Sequence, residues 1–371
     1  MSLQNLKIAI VCDWLTTAGG AEKVIQAIHE IFPQAPIFTT LYHPKKVRGF
    51  ENATVHTSYL QNLPFIKNNH QMALPLMPAI FESMNLDNFD IVISSSHSCA
   101  KGIITKPTTL HICYCHSPMR YAWDNHHAYV NEYTMNPIMK RLGRNMMHNI
   151  RMWDRLSAER VDAYCTNSHF VQKRIQKYYR KVANVIHPPV DTRRFRPLKG
   201  EKTYYLAVGR LTPYKKFNMI IEAFNALERP LIIVGTGVEE KKLKAVAKKN
   251  ITFLGHISDE DLPDIYAQAK ALIFPQVEDF GITPLESMAS GRPVIAYKDG
   301  GALETVKEGV TGVFFREQNA VSLVKAVYDF ESEYKNFSPD KIQEHAKKFS
   351  TNTFKEKFIA YVEDMWQQFK K

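Results

Sequence analysis

The chain has 371 residues, 45% of them apolar, and carries 48 Lys and Arg against 37 Asp and Glu, a net charge of +11. That is the make-up of a soluble globular protein long enough for two domains of ordinary size. No run reaches eighteen consecutive apolar residues, and Met1–Ser2–Leu3–Gln4–Asn5 leads straight into a strand, which argues against a spanning helix or a signal peptide and points to the cytoplasm. The five cysteines (Cys12, Cys99, Cys113, Cys115 and Cys165) are odd in number and lie in or beside apolar segments, as reduced thiols packed like small hydrophobes do. Cys113 and Cys115 have one residue between them, not the two usual for redox or zinc pairs, so no metal is assigned.

In chain order, Lys7–Ile8–Ala9–Ile10–Val11–Cys12 reads as a strand. After Asp13–Trp14–Leu15–Thr16–Thr17, Gly19 and Gly20 open a helix carrying Val24, Ile25, Ile28 and Ile31. Paired glycines let backbone approach a phosphate or sugar at a helix start, where N–H donors lack partners. The segment is neither the GxGxxG fingerprint nor a P-loop, and an ordinary helix-starting turn reads as well. Asp90–Ser94, Leu110–Tyr114 and Ala163–Asn167 read as buried parallel strands. His116 follows one of them. A lone His beside an apolar strand is more often structural, but a strand's carboxyl end is where ligands bind. The following run, Arg120–Tyr121–Ala122–Trp123–Asp124–Asn125–His126–His127, has the polar and aromatic character of a binding loop. Adjacent His126 and His127 are not spaced to share a metal on one helix face.

Most of the positive charge sits in the first half. Residues 1–198 carry 23 basic against 13 acidic residues, whereas 199–371 carry 25 against 24. Within residues 135–196 the ratio is 14 to four. There Lys140, Arg141, Arg144, Arg151, Arg155 and Arg160 alternate with Met139, Leu142, Met146, Met147, Ile150, Trp153 and Leu156, a basic amphipathic helix. It reads either as a solvated face over a core stripe or as a contact with anionic lipid headgroups. No helix-turn-helix, zinc finger or aromatic RNA-binding signature accompanies it, so nucleic acid is not expected.

The strand pattern restarts after Arg196–Pro197–Leu198–Lys199–Gly200–Glu201–Lys202 with Tyr204–Gly209, Leu231–Gly235 and Ile251–Gly255. Alternating strands and helices predict an α/β protein of two doubly wound, Rossmann-like domains, 1–198 and 199–352, with ligands at the strands' carboxyl ends. A helix over 353–371 places Phe354, Phe358, Tyr361, Val362 and Trp366 on one side. Gly209–Arg210–Leu211–Thr212–Pro213–Tyr214–Lys215–Lys216 offers Arg210 and Lys215 as a cation pair suited to a diphosphate, against a plainer reading as solvated surface charges. The most informative stretch is Gln276–Val277–Glu278–Asp279–Phe280–Gly281–Ile282–Thr283–Pro284–Leu285–Glu286. It puts two carboxylates across a strand-to-helix turn, where Glu278 and Glu286 could take hydroxyls from different parts of one sugar-bearing ligand.

Together these residues resemble the retaining, nucleotide-sugar-dependent glycosyltransferases of family four. The resemblance rests on Gly19–Gly20, Gly209–Arg210 to Lys215, Phe253–Leu254–Gly255, and the block from Phe274 to Glu304 with Gly300–Gly301–Ala302–Leu303–Glu304. More narrowly, His116–Ser117–Pro118–Met119–Arg120–Tyr121 with Pro213–Tyr214–Lys215–Lys216 is similar to bacterial mannosyltransferases of O-antigen and exopolysaccharide assembly, which use GDP-mannose and a polyprenyl-diphosphate-linked acceptor.

The resemblance implies the GT-B architecture, two Rossmann-like domains facing across a cleft, with the C-terminal helix returning to the first. It implies that Arg210 and Lys215 hold the donor diphosphate, helped by the backbone at Gly19–Gly20. Glu286 would take the ribose hydroxyls, and Glu278 with the backbone of Phe280, Gly281 and Ile282 would take the transferred sugar. Gly255 and His256 would edge the base, and His116 would lie beside the breaking bond. Arg120, Tyr121 and Trp123 would meet the acceptor. Front-face attack would let the departing phosphate oxygen take the acceptor's proton, with no metal and no cofactor. A lipid-linked acceptor would bring residues 135–181 against the inner membrane face. Many relatives have glycine where Lys216 stands. A UDP-sugar donor is an alternative, and a non-catalytic nucleotide-sugar or nucleic-acid binder is another of a different class. An epimerase lacks support from the 274–304 block, and a phosphorylase would need a pyridoxal-phosphate lysine context that is not identified.

Overall fold

The computed structural model describes residues 3–17, 19–63, 66, 73–124, 137–198, 200 and 202–371. Asn125, His126 and His127 of the expected binding loop, residues 135–136 of the basic segment, and Lys199 and Glu201 lie outside them, as do the side chains of Met139, Lys140 and Leu142.

The first unit comprises residues 1–189 and 354–371. Its elements are β1 (Ile8–Cys12), α1 (Gly20–Ile31), β2 (Ile37–Thr39), β3 (Val55–Thr57), α2 (Met77–Glu82), β4 (Ile91–Ser96), β5 (Leu110–Cys115), α3 (Pro137–Ser157), β6 (Ala163–Thr166), α4 (His169–Tyr179) and β7 (Ala183–Val185). The seven strands form one sheet in the order β3-β2-β1-β4-β5-β6-β7, every pair parallel. Continuous apolar strands are what a sheet covered on both faces requires. Successive side chains of β1 point to opposite faces: Ile8, Ile10 and Cys12 join one core, Ala9 and Val11 the other. The first core also takes Phe354, Phe358, Tyr361, Val362 and Trp366. The C-terminal helix therefore completes the first unit's core, and Tyr361 donates its hydroxyl to the Tyr164 carbonyl at 2.8 Å.

The second unit, residues 190–353, contains β8 (Tyr204–Val208), α5 (Phe217–Leu227), β9 (Leu231–Val234), α6 (Glu240–Val246), β10 (Ile251–Gly255), α7 (Leu262–Gln268), β11 (Ala269–Phe274), α8 (Ile282–Ala289), β12 (Val294–Tyr297), α9 (Ala302–Thr305), β13 (Gly312–Phe315), α10 (Ala320–Glu333) and α11 (Pro339–Lys347). Helix α12 (Thr351–Phe369) begins here and runs into the first unit. The six strands order as β10-β9-β8-β11-β12-β13, again all parallel. Residues 190–198, grouped by the sequence with the first domain, pack with the second. The Val190 N–H donates to Phe349 O at 3.0 Å, and Phe195 meets Tyr266 edge-on with ring centroids 5.5 Å apart. The division between the units falls at residues 189–190, ahead of Pro197 and Leu198.

Both sheets reverse strand order once, between β1 and β4 in the first unit and between β8 and β11 in the second. The loops leaving neighbouring strands at such a point diverge, and the crevice they leave is where ligands bind in this class of sheet.

Candidate functional site

In the second unit the reversal point joins two of the expected site segments. The loop after β8 carries Arg210 and a single 3-10 turn, Pro213–Lys215; the loop after β11 carries Glu278. Lys215 Nζ and a Glu278 carboxylate oxygen form an ion pair across the crevice, with side chains 15% and 20% exposed. The Lys215 ammonium also lies 5.3 Å from the centre of the Tyr214 ring. Arg210 is exposed, its guanidinium 3.5 Å from the Tyr214 hydroxyl. The cation assigned to phosphate and the carboxylate assigned to sugar are thus brought together. The pair is open enough to water for a ligand to exchange with either partner.

Glycines set the shape of these loops. A Cβ at Gly301 would fall 2.3 Å from the Phe280 Cα, and one at Gly300 would fall 2.6 Å from the Glu278 carbonyl oxygen. The Gly301 N–H donates to that carbonyl at 2.8 Å. The glycine pair therefore lets the β12–α9 loop lie directly on the Glu278–Phe280 backbone and hold it. Gly281, with φ +91°, then turns the chain into α8. The Phe280 ring is buried against Phe349, and the chain runs from there through Gly281 to the first amides of α8, which have no intrahelical carbonyl to take them. On the other side, Gly235 packs under Gly209: the Gly209 N–H donates to Val234 O at 3.0 Å, and Gly235 N–H to Gly255 O at 2.7 Å. Three strand ends are stitched together there, placing exposed His256 just beyond them. Glu286 is buried on α8 and accepts the Tyr266 hydroxyl at 3.0 Å. Burial, reinforced by that carboxylate, pushes the Tyr266 phenol far above its usual pKa, so it stays a donor. Lys216 holds φ +59°, a left-handed conformation that a glycine would adopt without strain.

In the first unit, Asp13 after β1 and His97 after β4 occupy the reversal point, and neither was singled out by the sequence. The Asp13 carboxylate accepts the backbone N–H groups of His97, Ser98, Cys99 and Ala100 at 2.7–2.9 Å. His116 stands at the end of β5, its Nε2 hydrogen-bonded with Ser95 Oγ at 2.8 Å, its ring 6.3 Å from that of His97. Burial, with His97 nearby, pushes its pKa down to about 3, so His116 is a neutral imidazole. Gly19 is the N-cap of α1 with extended backbone, and Glu22 turns its carboxylate back onto the N–H groups of Gly19 and Glu22. This is the return half of a capping box. Burial raises the pKa of that carboxyl.

Arg120, Tyr121 and Trp123 share the turn after β5, but two of them are anchored inward. Tyr121 hydrogen-bonds Ser98 Oγ at 2.8 Å, and Trp123 donates its indole N–H to Asp154 at 2.7 Å while stacking on Tyr178. Asp154 is fully buried on α3, where it also pairs with buried Lys101 and accepts the Tyr179 hydroxyl. Helix α3 turns Met147, Ile150 and Asp154 inward; Arg141, Arg144, Met146, His148, Met152 and Leu156 are exposed on it. The apolar residues of this helix are thus divided between core and surface. Among the described residues, no helix is long and apolar enough to cross a membrane and no group of three or more His, Cys, Asp or Glu could hold a metal.

Two Rossmann-like units, each built on a parallel sheet, are the architecture of the GT-B class of glycosyltransferase. Residues 18–194 match the glycosyltransferase family 4 profile and residues 190–355 the glycosyl transferases group 1 profile. The chain belongs to the family-four glycosyltransferases. It is 31% identical over 166 residues to mannosylfructose-phosphate synthase of Agrobacterium fabrum, a match covering 36% of this chain and 37% of that protein. It is 29% identical over 204 residues to the GDP-mannose-dependent alpha-(1-6)-phosphatidylinositol monomannoside mannosyltransferase of Mycobacterium tuberculosis, covering 46% and 53%. It is 29% identical over 153 residues to the O-antigen chain mannosyltransferase RfbU of Salmonella typhimurium, covering 38% and 43%. The matches thus span about half of these relatives or less. The fold is that of sucrose-phosphate synthase from Thermosynechococcus elongatus, with TM-score 0.75 and 16% identity over 98% of this chain and all of that one. It is also that of Anabaena HepE, with TM-score 0.70 and 17% identity over 97% and 100%.

Proposed function

We propose that the chain transfers mannose from GDP-mannose, with retention of configuration, to a lipid-linked saccharide in the assembly of a bacterial surface polysaccharide. The observation that carries this reading is the Lys215–Glu278 pair across the β8/β11 crevice. A cation and a hydroxyl-accepting carboxylate side by side suit the junction between a diphosphate and a sugar. Lys215 and Arg210 hold the diphosphate and stabilise the charge that develops on it as it leaves. Glu278 grips hydroxyls of the transferred sugar and is not a nucleophile. Glu286 takes the ribose, and His256 edges the base. A neutral His116 serves the sugar as a hydrogen-bonding group. With two cations and a helix start at the diphosphate, the reaction needs no metal. The mannosyltransferases among the relatives support this donor.

The exposed cations and apolar side chains of α3, Arg141, Arg144, Met146, Met152 and Leu156, form the mixed face that a peripheral contact with anionic lipid uses. This is consistent with a lipid-linked acceptor at the inner membrane surface.

A thermal-shift panel of GDP-mannose, UDP-glucose, UDP-N-acetylglucosamine and their nucleoside diphosphates tests the donor, because a ligand of the native state raises apparent stability by mass action. GDP-mannose is expected to give the largest shift, unchanged by EDTA. Stabilisation by a UDP-sugar instead would establish the second reading, which the UDP-glucose complex of Anabaena HepE favours. No shift with any nucleotide would remove both.

A further inference from the structure

The two members of the Lys215–Glu278 pair are held unequally. Glu278 is fixed at its backbone: the Gly301 N–H donates to its carbonyl at 2.8 Å, and a Cβ on Gly300 would fall 2.6 Å from the same oxygen. Lys215 ends a single 3-10 turn, Pro213–Lys215, and donates to the carboxylate from the end of a flexible four-carbon stem. The Tyr214 ring, centred 5.3 Å from the ammonium, lies beside that stem. Of the two partners, the cation is the one that can move. Arg210 differs from both: it is exposed, and among the described residues no carboxylate pairs with it.

No anion can take Lys215 without parting it from Glu278. The carboxylate is then left beside phosphate oxygens of its own sign unless some group donates to it. An intact sugar nucleotide supplies that donor, because its sugar hydroxyls follow directly on the diphosphate. A nucleoside diphosphate alone does not. Freed of its sugar, the terminal phosphate also gains a second ionisation, with a pKa of about 6, on the side the sugar has left. One ligand satisfies both members of the pair; the other satisfies the lysine and repels the glutamate.

We propose that Glu278 is a counter-ion that makes this crevice discriminate against a bare nucleoside diphosphate; the proposal rests on the glycosyl-transfer reading above. Lys215 passes to the diphosphate while sugar hydroxyls hold Glu278, and returns to Glu278 when the sugar has gone. The pair therefore acts on the product side as well, where return of the lysine favours release of the nucleoside diphosphate. The clamp on the Glu278 backbone keeps the carboxylate where Lys215 finds it again. Arg210 has no carboxylate to return to, so its grip does not depend on the sugar.

Calorimetry on the full chain measures Kd for GDP and for GDP-mannose, or for the UDP pair if the thermal-shift panel selects it. Glu278→Gln keeps the shape of the side chain and removes its charge. It is expected to bind the nucleoside diphosphate about tenfold more tightly than wild type, while affinity for the sugar nucleotide holds or falls. A disrupted site loses affinity, so a gain cannot come from misfolding. Arg210→Gln is expected to weaken both ligands alike. In a Lys215→Met background the gain from Glu278→Gln should shrink by about threefold, because no lysine is there to be released. Unchanged or weaker binding of the nucleoside diphosphate by Glu278→Gln would overturn the proposal, as would an equal gain with and without Lys215. Failure of the wild-type chain to bind either ligand would instead remove the glycosyl-transfer reading itself, and the proposal with it.

Discussion

The two reversal points have the same topology and opposite chemistry. In the first unit the carboxylate, Asp13, is inaccessible to water and saturated by backbone amides that no ligand could displace without breaking the turn. In the second, Glu278 is held by one long side chain, Lys215, and both partners remain partly exposed. Backbone donors cannot swing away, whereas a lysine can. The first acid is scaffolding that holds a turn; the second is partnered by a side chain that can exchange it. The same contrast extends outward. The first unit's further charge pair, Lys101–Asp154, is buried among Tyr179, Trp123 and Trp153, while Arg210 in the second is exposed.

The largest effect that would break this comparison is on stability. Lys101→Met strands the Asp154 charge in the core of the first unit, and losing one partner of a buried pair costs about 3–5 kcal/mol. All four tryptophans, Trp14, Trp123, Trp153 and Trp366, lie in the first unit, so their fluorescence in a urea titration reports that unit directly. The midpoint should fall steeply while nucleotide binding by the second unit, followed by calorimetry below the transition, persists. Unchanged fluorescence unfolding would show that the pair is not the anchor its burial suggests.

Glu278→Ala should do the reverse. A partly exposed pair contributes about 1 kcal/mol or less, so the urea midpoint should barely move. Transfer should nevertheless fall by about 10²–10³-fold, the range for removing one group aimed at the reacting centre. Near-normal transfer by this variant would end the assignment of Glu278 to the sugar. A large stability loss would place the pair in the same structural category as Lys101–Asp154.

How much of this was legible in the sequence follows from distance along the chain. The second unit's candidate site is written in short segments, 209–216, 276–286 and 300–301, each at a strand's end, so strand and glycine patterns pointed to it. What could not be read was which segments meet. Lys215 and Glu278 are 63 positions apart, and Asp13 and the His97 amide 84. Both pairings exist only because β11 lies beside β8 and β4 beside β1. His97 sits in a run of serines after an apolar strand, with nothing local to mark a partner. Tyr121 and Trp123 read as a binding surface by composition, yet their polar ends are taken by Ser98 and Asp154, which only packing reveals. The basic helix was legible as amphipathic, but the outward turn of Met152 and Leu156 depends on which face the sheet takes.

The smallest effect concerns the loop that carries Lys215. Arg180 and Glu228, two other described non-glycine residues with left-handed backbone, end helices, where that conformation is common. Lys216 instead stands between the Pro213–Lys215 turn and the start of α5. A left-handed L-residue costs about 1–2 kcal/mol, and glycine's greater freedom in the unfolded chain returns about 0.5–1 of that. Lys216→Gly should therefore stabilise the chain by about 0.5–1 kcal/mol, read as a small rise in the melting temperature of the second unit. If the backbone is all that matters at this position, donor affinity stays at the wild-type value. A tenfold loss of affinity would mean that Lys216 adds its own cation to the diphosphate, and that the strain at this position is retained for binding. The second unit would then have traded stability for charge at its reversal point, a trade with no counterpart at Asp13, where the carboxylate is satisfied by its own backbone.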